Sequence, residues 1–311
     1  MTNLPKRFEI QKKSKFLAEI RQFFCDEGVL EVDTPLAYTH PVTDPYIDVF
    51  AIQTQSGKRF LQSSPEYAMK QLLAEYKVSI YQICKAFRDD PSARYHHHEF
   101  MMLEWYKVGF DDWQLMGELE KLITTLDPEA EFIYISYQSL FEKYIDINPH
   151  QASSSKLLAL VTQHIGEVVG LKDLTYNDCL DLLFTHLIEP KLADYNEFVF
   201  IYHYPASQSA LAKKVLDKEK QQVSARFELF CKGIELANGY NELTNAHQLK
   251  AQFEAEISLR DKLGLKQVEI DEALLSCIEK LPECAGVAVG LDRLFMCLLG
   301  KKKISDVSFC I

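Results

Sequence analysis

Three polar clusters hold the residue types that chemistry on phosphate and ammonium groups calls for. The first runs Phe87-Arg88-Asp89-Asp90, crosses a polar loop, and continues from Arg94-Tyr95-His96-His97-His98-Glu99-Phe100 to Met102-Leu103-Glu104-Trp105-Tyr106. An arginine where one strand ends, with another in the connecting loop, presents planar forked donors that suit phosphate oxygens. A surface hairpin laced with ion pairs accounts for the same residues. The second cluster spans Lys232 to Glu242, with Glu235 and Glu242 seven residues apart around an Asn238-Gly239 turn signal. A turn there brings both carboxylates to one place, and hard oxygens of this kind hold the Mg²⁺ that bridges nucleotide phosphates. Ordinary solvated carboxylates are the plainer explanation. The third is Gly286-Val287-Ala288-Val289-Gly290-Leu291-Asp292-Arg293. Small residues at alternate positions leave one strand face bare for something that approaches closely. Tight helix-on-sheet packing explains the glycines but not the arginine. His96, His97 and His98 are not read as a metal site, because adjacent side chains rarely converge on one ion.

These clusters need elements to hold them. Phe16, Leu17, Ile20, Phe23 and Phe24 recur at helical spacing across Ser14 to Glu27, with Gly28 as the stop. Val29 to Pro35 alternates like a strand closed by proline. Ile47 to Thr54 and Lys58 to Gln62 flank Gln55-Ser56-Gly57 as a hairpin, and Pro65 to Tyr76 reads as a short helix entered from Ser63 and Ser64. Ser79 to Arg88 and Glu99 to Val108 are expected to pair antiparallel around the loop from Asp89 to His98, and Trp113 to Leu126 returns to helical spacing. Asp146 to Asp194 has a helical pattern with polar breaks, which suits a helical insertion. Phe198 to Tyr202, Arg226 to Leu236 and Gly286 to Leu291 read as strands; His247 to Leu263 and Leu294 to Leu299 read as helices. Paired strands with interposed helices predict an α+β fold, an antiparallel sheet with helical cover.

Composition narrows the function classes. With 311 residues and 47% apolar residues the chain can bury a large core. The 45 acidic residues outnumber 34 Lys and Arg, for a net charge of −11, which argues against extended binding to a phosphate backbone. Eight cysteines, Cys310 among them, form no C-x-x-C pair and read as reduced thiols. Met1 to Phe16 lacks an apolar core, and no long uncharged apolar stretch follows, so a cytoplasmic location without membrane contact is expected.

Taken in order, Gly28 to Pro35 and the three clusters resemble motifs 1, 2 and 3 of class II aminoacyl-tRNA synthetases. Ser63-Ser64-Pro65-Glu66, the run from Arg94 through Glu104, and Glu235 to Glu242 are similar to the lysyl branch. Tyr202-His203-Tyr204-Pro205-Ala206-Ser207-Gln208 and Met102 to Tyr106 resemble, more narrowly, the family of elongation factor P lysine ligases, which join (R)-β-lysine to a lysine side chain of that translation factor. The resemblance covers nearly the whole chain. It implies one catalytic domain over residues 1–311, with a helical insertion at about 146–194 and no anticodon-binding domain.

What the resemblance implies about roles is specific. Arg88 holds the α-phosphate of ATP, and Arg293 holds the γ-phosphate and lies against the adenine. Asp89, Asp90, His97, Leu236 and Gly290 complete the nucleotide contacts. Glu235 carries Mg²⁺, with Glu242 as a second ligand. Lysine or β-lysine is bound by Ser64, Pro65, Glu66, Glu104, Tyr106, Glu242 and Ala288, because two ammonium groups need carboxylates at fixed distances. Two departures are visible: Asp90 stands where motif 2 usually has glutamate, and Ala288 stands where lysyl-tRNA synthetases have glycine. The latter points toward a substrate with a shifted amino group. Elongation factor P is the expected protein partner, a homodimer is implied by motif 1, and tRNA binding is not expected. A free-standing synthetase acting on tRNA or a small acceptor, and an inactive paralogue used as a binding module, are the competing readings.

Overall fold

The computed structural model describes residues 7–91, 93–166, 170 and 174–308; Cys310 lies outside them. The chain divides into two compact units, one of residues 1–128 and 242–311, the other of Glu129–Asn241. The described cysteines are free.

The first unit opens with α1 (Arg7–Asp26). Phe16, Ile20, Phe23 and Phe24 are buried along one stripe of it, as the spacing predicts. Gly28, at φ 66°, ends the helix, and Val29 N–H bonds back to Phe24 C=O, a left-handed glycine closure. The expected strand from Val29 to Pro35 shrinks to β1 (Leu30–Glu31), whose two residues are both exposed. It pairs parallel to Ile80 and Tyr81 and then leaves the sheet, since Thr34 N–H turns to the side chain of Gln82. β2 (Ala37–Tyr38), β3 (Ala51–Thr54) and β4 (Gly57–Leu61) form a small antiparallel sheet in the order β2-β4-β3.

Next come α2 (Glu66–Tyr76), β5 (Ile80–Phe87), β6 (Glu99–Val108) and α3 (Asp112–Leu126). Asp111 caps α3 through a reciprocal box with Gln114. β5 and β6 pair antiparallel from Ile80 opposite Tyr106 to Phe87 opposite Glu99, as expected from the sequence.

In the second unit the chain continues through β7 (Phe132–Ser136), α4 (Tyr137–Ile145), α5 (Ser154–His164), α6 (Tyr176–Leu183), one π turn (Phe184–Ile188) and α7 (Glu189–Leu192). β8 (Phe198–Pro205), β9 (Lys214–Leu216), β10 (Gln222–Cys231) and β11 (Ile234–Asn241) follow. These strands lie in the order β11-β10-β8-β7, with β9 also on β10. Tyr137, Phe141, Leu180, Phe184, Val199, Ile201 and Phe230 form the core beneath them.

Two readings of this unit are corrected. The run from Arg226 to Leu236 is two strands, not one, because Lys232 and Gly233 both take positive φ and turn the chain. Asn238-Gly239 is no turn: Asn238 and Gly239 sit inside β11 opposite Glu228 and Phe227. Glycine is there because a Cβ would lie 2.3 Å from Phe227 Cζ.

The chain returns to the first unit through α8 (Ala246–Lys262), α9 (Glu272–Ile278), β12 (Cys284–Gly290) and α10 (Leu291–Leu298). Here the strand order is β1-β5-β6-β12, antiparallel apart from β1. The strand period of two divides β6 into two faces. Leu103 and Trp105 turn toward the aromatic core, where Trp105 meets Phe24 and Phe24 stacks on Tyr81. Glu104 and Tyr106 turn the other way, beside Ala288 and Gly286 of β12. The architecture is α+β, with mostly antiparallel strands flanked by helices.

Candidate active site

That second face is the floor of an acidic cluster within the first unit. Glu104 is 2% exposed and receives two hydrogen bonds, from Ser64 Oγ to Oε2 at 2.7 Å and from Tyr106 Oη to Oε1 at 2.7 Å. Ser64 reaches it because α2 begins there: Ser64 Oγ also accepts from Glu66 N–H at 3.0 Å, which satisfies the first N–H of the helix. Lys70, one helical turn after Glu66, places Nζ 2.6 Å from Glu66 Oε1 and 2.6 Å from Glu242 Oε2. Glu242 is fixed by its backbone N–H, which donates to Cys284 C=O on the neighbouring strand.

Bare backbone makes the room. A Cβ on Gly286 would meet Tyr106 Cε1 at 2.3 Å and Glu242 Oε1 at 2.6 Å. The third cluster's glycine therefore serves close approach, as its spacing implied, and Ala288 stands directly opposite Glu104 in the ladder.

Burial dominates the electrostatics. It pushes Glu104 up to about 7, with the charge of Glu66 adding to it and the bonds from Ser64 and Tyr106 opposing. Burial likewise raises Glu242 to about 8 against the pull of Lys70. Lys70 itself is held above its ordinary value: burial works against its charge, but Glu242 and Glu66 outweigh it. Such a cluster invites a cation.

The first cluster's loop is built at the other end of the β5–β6 hairpin. Arg88 N–H donates to His98 C=O and closes its mouth, while the guanidinium lies over the Phe100 ring at 5.4 Å. Arg88 Nε and His97 Nε2 are buried and meet no hydrogen-bond partner among the described residues. A buried guanidinium donor without an acceptor calls for an anion. Arg293 Nε donates to Tyr95 C=O at 3.2 Å, so the two arginines, distant in sequence, meet the same loop. Asp89 N–H bonds to Asp48 C=O, and its carboxylate lies 3.9 Å from His98 Nδ1. Asp90 is in the same loop, and Gly290 ends β12 at the start of α10.

The chain matches the family described as class II tRNA synthetases (D, K and N) over residues 3–310. It belongs to that family. Among curated proteins it is 42% identical to the elongation factor P–(R)-beta-lysine ligase of Proteus mirabilis strain HI4320, over 95% of this chain and 92% of that protein. The ligases of the same name from Photorhabdus laumondii subsp. laumondii and Histophilus somni strain 2336 are 41% and 40% identical, again over 95% of this chain and 92% of each relative.

Within this class II frame, the structure brings Ser64, Pro65, Glu66, Glu104, Tyr106, Glu242 and Ala288 together, and ties Arg293 to the loop that Arg88 opens. Glu235 and Leu236 lie on β11 in the second unit, Glu235 opposite Phe230 and Leu236 buried. Sequence reasoning missed Lys70. Its signal was the spacing of four from Glu66, which on a helix usually means a solvated surface pair. It also missed Lys13, whose Nζ lies 2.6 Å from Asp292 Oδ1. Among the described residues, no group of three or more His, Cys, Asp or Glu side chains is arranged to hold a metal ion, and no helix is long and apolar enough to cross a membrane.

Proposed function

We propose that this chain activates a lysine-type diamino acid with ATP, as an aminoacyl-adenylate, and passes it to a lysine side chain of elongation factor P. The observation that carries this reading is the cluster that Glu66 on α2 forms with the buried Glu104 and Glu242 over the sheet floor, an acid-rich site suited to two ammonium groups. The relatives' names supply the protein acceptor.

The residues present fit a nucleotide. The partnerless Nε of Arg88 and Nε2 of His97 suit phosphate oxygens, and Arg293 reaches the same loop. Mg²⁺ bound through nucleotide phosphates needs only one or two protein carboxylates, so the absence of a larger ligand cluster among the described residues is consistent with it. Glu235 is the proposed metal carboxylate. Bound Mg²⁺ would supply charge neutralisation on the phosphates.

The chain's own side chains supply position. Glu104, fixed by Ser64 and Tyr106, and Glu66 with Glu242, fixed by Lys70, anchor the two ammonium groups so that the substrate carboxylate faces phosphorus. Arg88 and Arg293 hold the phosphoryl oxygens, where positioning and charge stabilisation dominate. Attack of the substrate carboxylate on the α-phosphorus expels pyrophosphate, and attack of the acceptor amine on the acyl carbon of the adenylate expels AMP, so no enzyme side chain needs to become a nucleophile. Action in the cytoplasm as a homodimer, without tRNA, completes the reading.

The test is mass spectrometry of purified elongation factor P after incubation with the chain, ATP, Mg²⁺ and each lysine isomer in turn. The expected result is an ATP-dependent mass increase of one lysyl group. Transfer of labelled lysine to tRNA, with elongation factor P unchanged, would overturn it.

A further inference from the structure

Among the described residues, Lys70 is the cation that sits inside this acidic cluster. Its side chain is 2% exposed, as is unusual for a lysine, and Glu242 beside it is 1% exposed. An i,i+4 Glu–Lys pair on a helix normally lies in solvent and contributes little. A buried ion pair is a weak source of stability, and replacing both partners by apolar side chains of similar volume is often neutral. A charge kept at such a site therefore calls for a reason in function.

The geometry supplies one. A single ammonium takes one oxygen from each of two carboxylates, Glu66 Oε1 and Glu242 Oε2, both at 2.6 Å. The contact to Glu242 is a close ion pair between two buried side chains, so it acts as a charge clamp. The second oxygen of each carboxylate stays available, and Glu242 Oε1 stands beside the bare Cα of Gly286. Once ionised, three carboxylates against one ammonium leave two negative charges, the complement of a substrate with two ammonium groups. Without Lys70, Glu66 and Glu242 would repel each other, and Glu104 would join them in an overcharged site. Among the described residues, the other groups facing the clamp include Tyr106 on β6, Tyr67 on α2, Ser64 before α2 and the thiol of Cys277 on α9, none of which is a cation.

We propose that Lys70 is a positioning residue that sets the substrate class of this pocket: by clamping Glu66 to Glu242 it makes the site selective for a diamino acid over its analogue with one ammonium group. The proposal rests on the reading above that the cluster binds the amino acid.

The experiment is amino-acid-dependent ATP–pyrophosphate exchange with the full chain, comparing lysine isomers with an analogue whose side-chain amine is replaced by hydroxyl. Lys70→Met is expected to lower kcat/KM for the diamino acid by about 10²-fold, the cost of a misplaced anchor. The analogue should change far less, and KM for ATP should stay within about twofold. Lys70→Arg restores discrimination in part by restoring the charge. Lys70→Gln, of similar length and neutral, gives the same readout should Lys70→Met not fold. In a Glu242→Gln background, Lys70→Met should add little further loss, since the two act as a unit. Discrimination unchanged in Lys70→Met or Lys70→Gln overturns the proposal, as does an equal rise in both KM values. A wild-type chain with no exchange on any diamino acid overturns the functional reading instead, a separate outcome.

Discussion

Lys13 on α1 places its ammonium 2.6 Å from Asp292 Oδ1 on α10, with both side chains 5% exposed. Asp292 is the residue before Arg293, and its other oxygen accepts the backbone N–H of Met101 on β6 at 2.8 Å. One carboxylate thus joins the first helix, the central hairpin and the helix that carries Arg293, the arginine proposed to hold phosphate. Removing the lysine leaves a buried, half-paired carboxylate, a change that costs about 3–5 kcal/mol. Lys13→Met is expected to lower the urea-unfolding midpoint accordingly, with the slope unchanged. It should also raise KM for ATP, because Asp292 ties the first turn of α10, next to Arg293, to β6. A wild-type midpoint would show that the pair contributes nothing.

Much of this was legible in the sequence, and the failures have physical causes. The β5–β6 hairpin, its polar loop and the arginines were visible because strand-rich runs flanking a polar segment leave few alternatives. Ser64, Glu66, Glu104 and Glu242 were found through resemblance to a motif set, since isolated carboxylates carry no local signal. Asn238-Gly239 misled because its composition suits a turn, whereas the glycine is needed beneath the Phe227 ring. The real turn uses Lys232 at φ 50°, a residue type that gives no compositional warning. Lys70 and Lys13 escaped notice because burial of a lysine is decided by tertiary partners distant in sequence.

Gly286 is where the floor tolerates least. A methyl group there would sit 2.3 Å from the Tyr106 ring and 2.6 Å from Glu242 Oε1, and Tyr106 is fully buried with little freedom to move. Gly286→Ala therefore displaces the tyrosine, the carboxylate or the strand. Overpacking of a tight core costs about 1–3 kcal/mol, and a displaced anchor about 10²-fold in rate. The expected outcome is a soluble protein with sharply raised KM for the amino acid and near-normal KM for ATP. Exchange activity within about twofold of wild type would mean that the pocket lies elsewhere.

Glu104 gives the site a pH dependence. Burial lifts its folded value from 4.5 to about 7. Between those values the unfolded carboxylate has lost its proton while the folded one keeps it, so the native state binds more protons and stability falls as pH rises. An ammonium anchor, by contrast, needs the ionised form. kcat/KM for the amino acid should therefore rise with pH through about 7, the value for the free enzyme. Glu104→Gln is expected to flatten the stability slope between about pH 5 and 7 while removing most activity. A rate profile without an inflection near neutrality, or a stability slope untouched by the substitution, would contradict this assignment.

Ala288 faces the same floor, directly opposite Glu104 in the β6–β12 ladder. Its methyl is the smallest side chain able to crowd an amino group bound there, and lysyl-tRNA synthetases are expected to have glycine at this place. One methyl in a binding site changes discrimination by about 1–3 kcal/mol, or about 10–200-fold. Ala288→Gly should therefore improve exchange with α-lysine relative to β-lysine by a factor in that range, and leave KM for ATP unchanged. Unlike Gly286→Ala, the substitution opens space, so folding is a minor concern. Measuring exchange with both isomers on both proteins separates the outcomes: an isomer ratio that does not move would remove Ala288 from the specificity of this pocket, whatever the absolute rates do.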